Sequence, residues 1–78
     1  MKKTWNGAEY LTQLVSDNDE GWIALELHRT EKWRSVLAAR VVFWDAVGQF
    51  SLEVLVDELP LNIVEELIAE AKERIRVG

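Results

Sequence analysis

Seventy-eight residues with a formal net charge of −5 bound the chain to one small domain with an acidic surface. Without cysteine, and with a single histidine, it has no disulfide staple, no thiolate nucleophile and no ordinary zinc ligand set. The acidity disfavours phosphate backbones and anionic membranes, and no apolar run approaches the roughly 18–20 residues of a membrane helix.

Met1-Lys2-Lys3 is followed by Thr4-Trp5-Asn6-Gly7, which is not the apolar core of a signal peptide, so a cytoplasmic location is expected. Asn6-Gly7-Ala8-Glu9 has the form of a helix start, with Asn6 as cap and Glu9 as its reciprocal partner. Tyr10, Leu11, Leu14 and Val15 come next at helical spacing, and a short N-terminal helix is expected there. Tyr10, Thr12 and Leu14 also alternate as a strand would.

Ser16 to Gly21 is a loop by composition. Its acids do not make a calcium loop: counted from Asp17, Trp22 falls where an EF-hand needs glycine and His28 where it needs glutamate. From Trp22 to Arg29, Ile23, Leu25 and Leu27 alternate with Trp22, Ala24, Glu26 and His28, which predicts a half-buried strand. Residues 30–35 are polar apart from Trp33 and are expected to connect this strand to the next.

The next hairpin has a readable register. A four-residue turn at Asp45-Ala46-Val47-Gly48 pairs Trp44 with Gln49, Phe43 with Phe50, Val42 with Ser51, Val41 with Leu52, Arg40 with Glu53 and Ala39 with Val54. Extended further, it sets Leu37 against Val56. One face is then apolar throughout: Leu37, Ala39, Val41 and Phe43 against Phe50, Leu52, Val54 and Val56. A slip by one residue would put Arg40 among those side chains, which excludes the three-residue turn.

Pro60 suits the first position of a helix. Val64, Leu67, Ile68, Ala71 and Ile75 then mark an apolar stripe, with Glu65 and Glu66 in the early turns and Lys72, Arg74 and Arg76 in the last, each complementing the helix dipole. The expected fold is α+β: a short helix, a three-stranded antiparallel meander, and a C-terminal helix packed on one sheet face. That element order is similar to that of double-stranded RNA-binding domains. The similarity stops at order, because Glu65 and Glu66 stand where that family presents lysines, so it implies no RNA binding.

No motif names a chemistry. His28 has no nucleophile-elbow serine to serve, and the four glycines are scattered rather than gathered into a phosphate loop. The chain therefore reads as a non-enzymatic module without cofactor, metal or evident small-molecule substrate. The sheet face away from the C-terminal helix carries Trp22, Arg40, Val42, Trp44 and Leu55, apolar bulk that a solvated face does not need. Two fates are open to it. It contacts another protein or a second copy of the chain, or the N-terminal segment covers it with Trp5, Tyr10, Leu11 and Leu14. The alternative function is an accessory role on nucleic acid through Lys32, Trp33, Arg34 and the N-terminal Lys2 and Lys3.

Overall fold

The computed structural model describes residues 1–75. Five strands run in sequence order through one antiparallel sheet: β1 (Lys2–Trp5), β2 (Ala8–Asp17), β3 (Trp22–Glu31), β4 (Arg34–Trp44) and β5 (Gln49–Val54). One helix, α1 (Leu61–Arg74), comes after them and packs against β3 and β4. The fold is thus α+β, a five-stranded meander with one C-terminal helix. No helix among the described residues is long and apolar enough to cross a membrane.

The N-terminal helix expected from Asn6 does not form. Asn6 and Gly7 both take positive φ, 50° and 83°, the pattern of a type I′ turn, and close a hairpin between β1 and β2. Asn-Gly is the strongest short hairpin signal, and it prevails over the capping pattern because β2 gains a core face by alternation. Ala8, Tyr10 and Thr12 turn toward α1, with Ala8 and Tyr10 buried in the core.

The hairpin register from Ala39↔Val54 to Trp44↔Gln49 is as the sequence implies. Gly48 at φ 65° donates its N–H to the Trp44 carbonyl at 2.8 Å and closes the turn. Beyond Ala39 the expectation fails. Leu27 pairs with Ala39 but His28 pairs with Leu37, so Ala38 is an extra residue, a β-bulge. The bulge carries Leu37 off the helix side, and β5 ends at Val54, so Leu37 and Val56 are not partners. The expected 30–35 connection is also shorter: β3 and β4 extend until only Lys32 and Trp33 turn the chain, with Lys32 at φ 57°.

The core lies between the sheet and α1. Leu25, Leu27, Ala39, Val41 and Phe43 meet Ile63, Leu67, Ala71 and Ile75, while Ile68, Leu59, Phe50 and Val56 pack at its margin. Pro60 is the residue before the helix rather than its first, and the first turn carries no acid; Lys72 and Arg74 do stand in the last turn. Arg76 lies outside the described residues.

Glu66 and Glu70 bind the N-terminal hairpin. Lys3 Nζ donates to Glu66 at 2.6 Å, and the Met1 α-ammonium, Thr12 and Arg74 all donate to Glu70. A helix is about 10 Å wide and strands are spaced roughly 4.8 Å apart, so α1 cannot roof five strands. It leaves β5 uncovered: Leu52 and Val54, expected in the core, are 45% and 48% exposed.

Candidate protein-interaction surface

Among the described residues, no second layer covers the sheet face away from α1. The N-terminal segment does not cross it, because β1 and β2 are strands of the same sheet; Tyr10 points into the helix-side core, and Leu11 faces out. What shields this face comes from its own side chains.

Trp22 and Trp44 are direct cross-strand partners, with ring centroids 6.5 Å apart and planes tilted by 58°. Ala24 and Val42 form the next pair along, and beyond them Glu26 faces Arg40. Arg40 reaches back over the small Ala24–Val42 pair and sets its guanidinium 5.9 Å from the Trp22 ring centroid. Ala24 and Val42 are buried beneath this bridge although no element among the described residues covers them. Such a cation–π contact is worth roughly 0.5–1 kcal/mol at an exposed site. The same guanidinium holds Glu53 from β5, Nε to Oε1 at 3.1 Å. On the other side of Arg40, Glu26 Oε1 shares a hydrogen bond with His28 Nε2 at 3.1 Å.

Comparison with known protein families, with curated proteins and with solved structures finds no match. What this surface can do therefore rests on its own geometry.

Of the five residues expected at the site, three meet: Trp22, Arg40 and Trp44. Val42 is the floor under them and offers a partner almost nothing. Leu55 does not join. Its N–H donates to the Ala38 carbonyl, which places it six residues along β4 from Trp44, about 20 Å at the strand rise. It lines instead a cleft of about 560 Å³ with Trp33, Val36 and Leu37.

Trp33, named with Lys32 and Arg34 for the alternative role, stands 91% exposed at the tip of the β3–β4 hairpin. A second feature is not evident from the sequence: the helix side of β5 is open. The length of the apolar stripe on α1 against the number of strands carries the signal for that opening, once Asn6-Gly7 is taken as a turn.

The Arg40–Glu53 pair is expected to couple weakly. Both side chains are partly solvated, and exposed cross-strand charge pairs contribute about 0.2–1 kcal/mol. A double-mutant cycle with Arg40→Ala and Glu53→Ala, read by urea denaturation, measures it; a coupling well above that range would mean that the pair is shielded from water by something seated on this face.

Proposed function

We propose that this protein is a protein-interaction module and that its contact surface is the aromatic cluster of Trp22, Arg40 and Trp44. The observation that supports the reading is an uncovered sheet face whose two tryptophans and arginine are held in place by one another rather than by a second layer. Trp and Arg are the residue types that most often dominate binding energy at protein interfaces. Here their entropy cost is partly met in the free protein: Arg40 is fixed between the Trp22 ring and Glu53, so little rotamer freedom remains to be lost. The acidic flank formed by Glu26 and Glu53 favours a partner with basic groups around an apolar centre.

Trp44→Arg tests this reading, because Trp44 is 38% exposed and lies outside the helix-side core. The variant is expected to keep the parent's circular dichroism and to bind a captured, purified partner about tenfold more weakly or worse. Unchanged binding, or a variant that does not fold, would sink the assignment of this face.

One observation favours a second reading. Trp33 projects from the hairpin tip between Lys32 and Arg34, an arrangement that can stack on a single-stranded base. Lys3 is less available to such a ligand, since it is tied to Glu66. Binding of a single-stranded oligonucleotide that falls steeply with salt and with Trp33→Ala would favour this reading over the first.

A further inference from the structure

The two edges of the sheet are built differently. β1 is four residues long and carries Lys2 and Lys3, and short length and lysine are devices that keep an edge from pairing. β5 is six residues long, reads Gln49-Phe50-Ser51-Leu52-Glu53-Val54, and has one charge, which Arg40 already holds. Its helix side is apolar and left open beside α1, where Leu52 and Val54 are about half exposed. Val64 and Ile68, half-buried, stand on the helix flank opposite Glu66 and Glu70 and border the same strip.

The direction of the backbone groups on β5 is fixed by one bond. Leu55 N–H points inward to the Ala38 carbonyl. Alternation along an extended strand then turns the N–H and C=O of Phe50, Leu52 and Val54 outward, where nothing among the described residues pairs with them. From this free edge we infer that β5 joins β5 of a second copy, antiparallel, with Leu52 on the two-fold axis.

Three symmetric registers pair more than one of those outward residues within the strand, and two of them fall short. Centring the axis on Ser51 pairs Phe50 with the partner's Leu52 but leaves Val54 beyond the partner's strand. Centring it on Glu53 sets that carboxylate against its own copy, and like charges directly opposed are destabilising. Centring it on Leu52 pairs Phe50 with Val54 and Leu52 with Leu52 on the helix side. On the other side Glu53 meets Ser51. Each of the outward residues then exchanges both backbone hydrogen bonds with its partner. The axis is perpendicular to the sheet, so both helices lie on one side and both aromatic clusters on the other. This edge meets the Trp22–Arg40–Trp44 cluster only at Glu53, and it does not depend on that proposal.

One strand and its apolar strip make a small contact, at the low end of specific interfaces, so the dimer is expected to form at tens to hundreds of micromolar. Sedimentation equilibrium across that range should show the mass of the parent rising toward that of two copies. Leu52→Lys should stay monomeric with the parent's circular dichroism. Leu52→Cys supplies the only thiol in the chain. The hydrogen-bonded pair places its Cα atoms about 5.5 Å apart, within disulfide range, so mild oxidation should cross-link it. Trp33→Cys, at the exposed hairpin tip, should not cross-link at a comparable rate.

A parent that stays monomeric throughout, or a Leu52→Lys protein that associates like the parent, would overturn the inference. Should Leu52→Lys lose its fold, the cysteine pair decides alone: cross-linking of Leu52→Cys no faster than of Trp33→Cys overturns it as well. Trp44→Arg should leave self-association unchanged. If Trp44→Arg abolishes it while Leu52→Lys does not, the second copy sits on the aromatic face; the β5 dimer is then excluded and the interaction-module reading stands.

Discussion

Replacing Leu67 by alanine is expected to cost about 2–5 kcal/mol, the range for a fully buried leucine whose site cannot collapse. Leu67 is completely buried at the centre of the α1–sheet contact, between Ile63 and Ala71 along the helix and over the apolar residues of β3 and β4. The chain has one core, and domains have only about 5–15 kcal/mol in total, so the loss takes a large share of the stability. Ile68, one position on, is only partly buried and should cost less. Leu61→Ala serves as the control, because Leu61 is 72% exposed. Urea denaturation followed by circular dichroism measures all three. A Leu67→Ala midpoint indistinguishable from that of Leu61→Ala would mean that α1 does not dock as described.

Glu70 makes stability sensitive to acid. Burial alone would raise its pKa. The Met1 ammonium, Arg74 and Thr12, all donating to the carboxylate, outweigh that effect and hold it below the ordinary glutamate value of 4.5. A carboxylate depressed on folding contributes stability that is complete above its unfolded pKa and lost as pH falls through the lower, folded value. The domain should therefore weaken below about pH 4.5, the ordinary value for glutamate. Glu70→Gln keeps the shape, removes the charge, and is expected to cost roughly 1–3 kcal/mol at neutral pH, as for loss of hydrogen bonds to a charged group. It should also flatten the acid limb, since the variant has no carboxylate at this position to protonate. Urea midpoints of parent and variant at neutral pH and near pH 3 give the comparison. Equal losses in the two proteins would show that Glu70 does not carry the acid sensitivity.

The β4–β5 hairpin is legible in the sequence because its information is local. Apolar residues alternate strictly along β5, and Arg40 and Glu53 can face each other in only one register. The start of the chain is not legible for the converse reason. Asn6-Gly7-Ala8-Glu9 satisfies both a helix cap and a type I′ turn, and the choice depends on partners far along the sequence. Thr12 and Lys3 find Glu70 and Glu66, which local sequence windows do not bring together. The bulge at Ala38 is invisible because Ala38-Ala39 offers two small side chains of equal apolarity, either of which fits the core. At the surface, residue type marks Trp22, Arg40 and Trp44 correctly as neighbours on one face. It does not show that Val42 is roofed by an arginine reaching across it, or that Leu55 lies at the other end of the strand.

The ion pairs between α1 and the N-terminal hairpin act as a clasp on one side of the sheet only. Lys3 and Met1 bind the helix through Glu66 and Glu70, so β1 cannot peel from β2 without also loosening α1. Local opening at that edge is therefore a shared event, and its free energy includes part of the helix docking. β5 has no such tie among the described residues. Its hold on the rest of the domain is its ladder to β4, the Arg40–Glu53 pair and Phe50 against Phe43 at 5.1 Å. Fraying begins there, on a side where the hydrophobic strip is already in water. The same asymmetry gives the domain a stiff margin and a compliant one, and the compliant margin can adjust its twist to whatever strand is laid beside it.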